Sequence, residues 1–271
     1  MSQNSNSSNL EKFTKEEELF YDKHFAFPRF GKDGQQSLKK SSILVVGAGG
    51  LGSPALFYLA GAGVGNITIV DSDCVELGNL QRQILYGVSD VGKPKAQVAL
   101  ERIQKQNAWI SVTSLVERLD ATRTRELIAN YDLIVDCTDN LTSKFLLHDE
   151  CYRQKKNFIT ASIFHLSGQL LSFHYKTSSA TVDLACWHCL WKQTPKDNPP
   201  ANSIIGTTPG IVGVLQAQEV IKVLLHWKNR LQHQEMLTIN LSALEFLKIK
   251  WHKNPTCHFC RIKIESKDNH K

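Results

Sequence analysis

The sequence predicts an α/β protein in which a mostly parallel sheet, flanked by helices, is continued by antiparallel strands. Three observations predict it. Strand-like apolar runs alternate with helical ones from Ser42 to Cys137, a glycine-rich turn joins the first such pair, and the texture changes after Phe158. The chain has 271 residues, 42% hydrophobic and 21% charged, enough for a core and too apolar for a disordered polymer.

Residues 1–13 are Ser/Asn-rich and read as a frayed tail, and Glu16 to Phe25 reads as a short helix. Ser42-Ile-Leu-Val-Val is β-branched and apolar throughout, as in a strand buried on both faces. Pro54 to Ala62 continues with helix formers, and Asn66 to Asp71 is a second strand, completing a β-α-β unit. Gly92 to Asn107 has a helical pattern at Val98, Ala99 and Ile103. Ile110 to Val116 is a strand, Thr122 to Asn130 a helix and Leu133 to Cys137 another buried strand. Beyond Phe158, Gly168 to Tyr175 and Thr181 to Ala185 read as antiparallel strands, and Gly210 to Leu225 as a helix. No internal repeat is visible.

Ile43 to Val70 carries no charge over 28 residues, long enough to be mistaken for a membrane span. Seven glycines and Pro54 lie inside it, which fits strand, turn, helix and strand instead. Lys and Arg total 32 against 26 acids, giving a net charge of +6. The basic residues are spread out, with density only at Arg153 to Lys156 and Lys248 to Lys253. A solvated basic surface is expected rather than a nucleic-acid interface. Seven cysteines are an odd number, and Met1 to Phe13 has no apolar signal region, so the expectation is a cytoplasmic protein without a disulfide framework or a membrane partner.

Gly47-Ala-Gly49-Gly50-Leu-Gly52 follows a strand and opens a helix, the context in which a G-x-G-x-x-G turn binds a nucleotide. Gly47 permits the turn, Gly49 and Gly50 let backbone N–H groups approach a phosphate, and Gly52 lets the helix pack on the sheet. Asp71 ends the next strand, where an acid can bind ribose hydroxyls. The pattern indicates an adenine nucleotide without separating NAD from ATP, and a glycine turn with no ligand is the plain alternative. A Rossmann-like nucleotide-binding half is therefore expected at 30–160, after an N-terminal tail and helix at 1–29. A second half at 161–265 is continuous with the first.

Cys186-Trp-His-Cys189 and Cys257-His-Phe-Cys260 are two C-x-x-C pairs. Together they can form a closed four-thiolate zinc site with a structural role. A redox pair or an iron–sulfur cluster is the alternative, and His188 and His258 read as bystanders. Asn79-Leu-Gln81-Arg82-Gln83 and Gly92-Lys-Pro-Lys95 bring cations towards the glycine loop, where they can neutralise a triphosphate or merely face solvent. Asp136-Cys-Thr-Asp139-Asn140 ends the fourth strand. A carboxylate there can hold magnesium, or the segment can simply cap a helix.

This ordered series, with Gly168-Gln169 and the cysteine pairs, resembles the MoeB/ThiF/HesA family of adenylyltransferases, which are akin to ubiquitin-activating enzymes. The resemblance runs from about Phe20 to Cys260. It implies an enzyme, acting as a homodimer, that uses ATP and Mg2+ to adenylate the C-terminal glycine of a ubiquitin-like sulfur-carrier protein ending in Gly-Gly, in molybdenum cofactor or thiamine biosynthesis. It implies that Gly50 and its neighbours face the phosphates and Asp71 the ribose. Asn79, Gln81 and Arg82 would reach the phosphates from the turn that also holds Gly78 and Leu80. Lys95 would lie at the α-phosphate, Asp139 at the magnesium and Asn140 near the nucleotide, with Zn2+ on the four paired cysteines.

The family's opening Arg-Tyr-x-Arg-Gln, whose second Arg reaches the partner subunit's ATP, reads here Phe20-Tyr21-Asp22-Lys23-His24. Lys23 keeps a cation without the guanidinium fork. Relatives that form a thioester or persulfide carry a Cys before the late helix, and Thr194 to Thr208 contains none, so turnover is expected to stop at the acyl-adenylate. The competing readings are activation of a peptide or tRNA substrate on the same fold, an NAD-dependent oxidoreductase, and a scaffold that binds no nucleotide.

Overall fold

The computed structural model describes residues 12–176, 184–191 and 203–261. Its centre is one eight-stranded sheet in the order β3-β2-β1-β4-β5-β6-β7-β8. The strands are β1 (Ser42–Val46), β2 (Asn66–Val70), β3 (Ser111–Leu115), β4 (Leu133–Asp136), β5 (Asn157–Phe164), β6 (Ser167–Phe173), β7 (Glu235–Asn240) and β8 (Glu245–Lys250). The first five are parallel, with Leu44 beside Thr68 of β2 and Ile134 of β4. From β5 onwards the pairing is antiparallel. The fold class is as the sequence indicates.

Alternation along β1 shows why its run is apolar throughout. Ile43 and Val45 join the core beneath α4 (Gly52–Gly61), α5 (Lys95–Gln106) and α9 (Thr207–Leu224). Leu44 and Val46 enter the opposite core, with α6 (Ala121–Ile128) and α7 (Leu141–Arg153). The helix after β1 thus covers one face and the helix after β4 the other. A crevice opens between the carboxyl ends of these two neighbouring strands, where ligands of open α/β sheets bind.

The elements expected from Ser42 to Cys137 occur in the expected order, whereas α3 (Gly31–Lys40), β5, β7 and β8 were not expected, and the N-terminus needs a correction. The helix expected over Glu16 to Phe25 is two, α1 (Lys15–Phe20) and α2 (Asp22–Ala26), because Tyr21 turns inward. Tyr21 is buried and its hydroxyl accepts a hydrogen bond from Asn107 Nδ2 at 2.8 Å. Thr14 and Glu17 close a capping box on α1, and the buried Glu17 carboxylate pairs with Lys39 of α3 (Gly31–Lys40) at 2.6 Å. Of the strand expected at Thr181 to Ala185, only Leu184 and Ala185 lie among the described residues, and they lie outside any strand. The frayed-tail reading falls almost wholly outside the described residues.

Candidate functional site

A cleft of about 680 Å³ occupies the crevice, lined by the glycine loop, Asp71, Asp73, Arg82, Lys95 and Asp139 among others. Gly47 adopts φ +94°, and a β-carbon on it would lie 2.7 Å from the Cys137 carbonyl oxygen. One on Gly52 would meet the Gly47 carbonyl at 2.0 Å, so the loop closes on itself only with glycine at both places.

Asp71 fastens this loop. One carboxylate oxygen accepts from Ala48 N–H at 2.7 Å, the other from Asp73 N–H at 2.8 Å. Burial raises its pKa above the ordinary carboxylate value, against those two hydrogen bonds and the Lys95 charge. Lys95 is buried, and its Nζ lies 3.0 Å from the exposed Asp73 carboxylate. Arg82 is held from behind: Nη2 donates to Asn79 Oδ1 at 2.9 Å and Nη1 to the Gly78 carbonyl at 3.2 Å, while Asn79 Nδ2 donates to Glu76 at 3.0 Å.

The cleft therefore gathers Gly47, Gly49, Gly50, Asp71, Arg82, Lys95, Asp139 and Asn140. Gly52 packs behind it, and Gly78, Asn79, Leu80 and Gln81 are not part of its lining. Asn79 reaches Arg82 instead of open space, and Gln81 is exposed elsewhere. Asn140 caps α7, its side-chain oxygen accepting from Ser143 N–H at 2.8 Å, while Asp139 stands exposed beside it. Lys23 is 91% exposed, pairs with Asp22 at 3.1 Å and is not part of the lining of its own chain's cleft.

Beneath Asp139 lies a charged pair that the sequence analysis did not single out. Asp136 is fully buried; one oxygen accepts from Lys144 Nζ at 2.9 Å and Thr160 Oγ1 at 2.6 Å, the other from the backbone and hydroxyl of Thr138. Lys144 also donates to the Ala161 carbonyl at 2.7 Å, so it ties β4, β5 and the turn carrying Asp139 together. The available signal was a lysine four residues after the Asn140 cap, on the inward side of a helix packed on the sheet.

The four paired cysteines converge on the far end of the same core. Cys186 lies at the start of the short α8 (Trp187–Leu190), and all four thiols are buried. Sulfur separations are 3.8 Å for Cys186–Cys189, 3.6 Å for Cys186–Cys257 and 3.4 Å for Cys189–Cys260. A tetrahedron with zinc–sulfur bonds of ~2.3 Å has edges of about 3.8 Å, so the cage fits a zinc ion with little adjustment. His188 turns away and bonds Asp149 at 2.7 Å, and Asp149 in turn bonds His148. Of the remaining cysteines, Cys137 and Cys151 are buried and burial pushes both thiols up, while Cys74 is exposed.

On the β5–β8 face a shallower hollow of about 590 Å³ is bordered by Ser167, Gln169, Thr238 and Leu247. Ser162, Ile163 and Phe164 line both this hollow and the glycine-loop cleft, so the open face runs into the cleft. Phe164, Leu247 and Ile249 are more than 40% exposed on this side, whereas Phe246, also exposed, pairs with Ile239 on the opposite side of the sheet. Among the described residues no helix is long and apolar enough to cross a membrane.

Solved structures share the architecture. PaaA superposes with a TM-score of 0.73 at 21% identity, covering 92% of this chain and 77% of that one. MccB of E. coli with ATP superposes at 0.72 and 20%, covering 93% and 83%. Closer in sequence are the "Probable molybdopterin-synthase adenylyltransferase" of Porphyra purpurea and the "Sulfur carrier protein adenylyltransferase" of Thermus thermophilus. The first is 40% identical over 88% of this chain and 62% of the relative, the second 38% over 92% and 93%. The "Sulfur carrier protein ThiS adenylyltransferase" of Escherichia coli is 38% identical over 75% of this chain and 80% of its own length. The chain thus spans less than two thirds of the Porphyra protein and nearly all of the Thermus one. The ThiF family profile matches residues 21–259, and the chain belongs to that family.

Proposed function

We propose that this protein is an ATP-dependent adenylyltransferase that activates the C-terminal glycine carboxylate of a ubiquitin-like sulfur-carrier protein as an acyl-adenylate, in molybdenum cofactor or thiamine biosynthesis. The observation that carries the reading is the junction of two surfaces. A cleft lined by the glycine loop, Asp71, Arg82, Lys95 and Asp139 shares Ser162, Ile163 and Phe164 with an exposed, partly apolar hollow on the outer sheet face. A free small-molecule substrate needs no such face. The names of the Thermus and E. coli relatives point the same way.

In this reading residues 30–160 hold the nucleotide and 161–265 the carrier, whose extended tail crosses Ser162 to reach the glycine loop. The tail carboxylate attacks the α-phosphorus in line, an oxygen–phosphorus bond forms, and pyrophosphate leaves with the electron pair of the broken bond. Asp71 orients the ribose. Arg82 and Lys95 stabilise charge growing on the phosphoryl oxygens and the leaving group, while Asn79 and Glu76 keep Arg82 in place. Asp139 and its neighbours would hold magnesium, which neutralises phosphate charge when bound. The closed thiolate cage would hold zinc as a clasp between the middle and the end of the second half.

The exposed Lys23 acts at the partner's cleft in a homodimer, for which the exposed apolar side chains of Leu77, Ile84 and Val88 offer surface. With Cys137 and Cys151 buried, and Cys74 exposed but outside the cleft's lining, the reaction ends at the acyl-adenylate. The segment Thr194 to Thr208 lies partly outside the described residues. A cytoplasmic setting suits this chemistry.

Thermal unfolding tests the nucleotide choice. ATP with magnesium at a hundred times its Kd is expected to add about 2.7 kcal/mol of stability, with no effect of NAD. Protection by NAD alone would replace this reading with an oxidoreductase. Mixing inactive Lys23→Ala chains with inactive Asp139→Ala chains is expected to restore part of the activity. No recovery after verified subunit exchange would remove the shared site.

A further inference from the structure

Gln83 has no part in the mechanism above, yet it lines the nucleotide cleft and is only 4% exposed. Its Oε1 is buried without a hydrogen-bond partner. The backbone around it is fixed, its N–H donating to the Asn79 carbonyl at 3.0 Å and its carbonyl accepting from Tyr86 N–H at 3.1 Å. The two ends of a carboxamide interchange by a half-turn, so in either orientation one end is orphaned inside while the other faces the cleft. Burying an amide without a partner weakens the protein on its own, and such groups call for an explanation.

Its place along the glycine loop supplies one. Ala48 N–H is bound by Asp71, and Gly49 faces Gln83 alone, with 3.5 Å from a built β-carbon to Nε2. A β-carbon built on Gly50 would meet Pro209 at 3.1 Å, with Arg82 Cδ beside it at 3.7 Å. With the ribose at Asp71, the first phosphate beyond it falls opposite Gly49, beside the carboxamide. The later phosphates fall towards the guanidinium.

We infer that Gln83 is a catalytic residue that donates its side-chain N–H to a non-bridging oxygen of the α-phosphoryl group. The inference rests on the adenylyl-transfer reading and extends it. A neutral donor there binds the nucleotide and gains strength as those oxygens take up charge in the pentacoordinate transition state.

The test separates a phosphate contact from a packing role by using adenosine, AMP and ATP as probes in titrations followed by saturation-transfer NMR. Gln83→Met, of similar volume, is expected to bind AMP and ATP on the order of tenfold more weakly, as for one hydrogen bond to a charged group, and to leave adenosine affinity unchanged. Its melting temperature without nucleotide is expected to stay level or rise, because an unpaired amide has been removed. Gln83→Glu, which sets a carboxylate against the phosphate, is expected to weaken AMP and ATP binding further. Equal losses for adenosine, no loss for AMP, or a lower melting temperature of Gln83→Met without nucleotide would each overturn the assignment while adenylyl transfer stands. Failure of ATP to bind the wild-type protein would overturn the adenylyl-transfer reading and this assignment with it.

Discussion

The middle of the sheet and its β8 edge are built on opposite principles. Along β1 and β4, Ile43 to Val46 and all of β4 are buried, and the glycine-loop cleft at their carboxyl ends is made of backbone turns pressed against one another. At the edge every residue of β8 is exposed, and what the fold presents is a side-chain face. The glycine-loop region therefore has almost no freedom to vary, whereas the edge strand can change without disturbing the core. An activating enzyme needs both, a fixed seat for a common nucleotide and an adjustable one for a particular protein.

Substitutions can break this contrast, and the largest effect is expected at the clasp. Cys257→Ser opens the cage. Structural zinc is worth about 10–16 kcal/mol in small zinc peptides, so loss of stoichiometric metal by elemental analysis and the largest fall in melting temperature of this set are expected. Iron, or no metal in the well-folded wild-type protein, would remove the zinc assignment. Next comes the buried pair: Asp136→Ala or Lys144→Met alone leaves an uncompensated interior charge and is expected to cost about 3–5 kcal/mol in urea unfolding. The double substitution is expected to cost less than the sum, and strict additivity would show that the two groups do not support one another.

At the cleft mouth the effect moves from stability to rate. Arg82→Ala is expected to lower turnover roughly 10²–10³-fold with little change in ATP affinity, and Asn79→Ala to lower it less, since it acts only by holding Arg82. Equal losses in turnover and binding would make Arg82 an ordinary ground-state ligand. On the outer strand, Leu247→Asp is expected to raise KM for the carrier while leaving kcat, and stability to within about 0.5 kcal/mol, unchanged.

The smallest effect is a pH dependence at the turn before α5. The Gly87 N–H and Arg102 hold Asp90 down at about 2. Its carboxylate therefore stabilises the fold above the ordinary value of roughly 4, and that contribution is lost as pH falls from there through 2. Asp90→Asn is expected to flatten this acid limb of a pH–stability curve, and an unchanged limb would contradict the role.

Legibility in the sequence followed the same division. Local chemistry announces the parallel half, since β-branched runs, a glycine turn and an acid at a strand end are dictated by backbone needs that residue types reveal. The cysteine pairs were legible for the same reason, as their C-x-x-C spacing anticipates the buried convergence of four thiols. The strands β7 and β8 were not, because Glu245 to Lys250 alternates on a sheet edge with no buried face to impose a period. Tyr21 broke an apparently continuous helix because its partner, Asn107, is distant in sequence. Lys144 escaped notice, and Gln83 stood within its motif without a role, since their meaning lies in what surrounds them, a buried carboxylate in one case and an absent partner in the other.

The central claim is that the cleft and the outer face act on one substrate, and ATP–pyrophosphate exchange measures this directly. With purified protein, ATP, magnesium and radiolabelled pyrophosphate, the account predicts label entering ATP only when a ubiquitin-like carrier with a free C-terminal Gly-Gly is present. Removing the terminal glycine is predicted to abolish it, and Arg82→Ala to slow it roughly 10²–10³-fold. Exchange that proceeds at the same rate without any carrier, or with a carrier lacking its last glycine, would contradict the account.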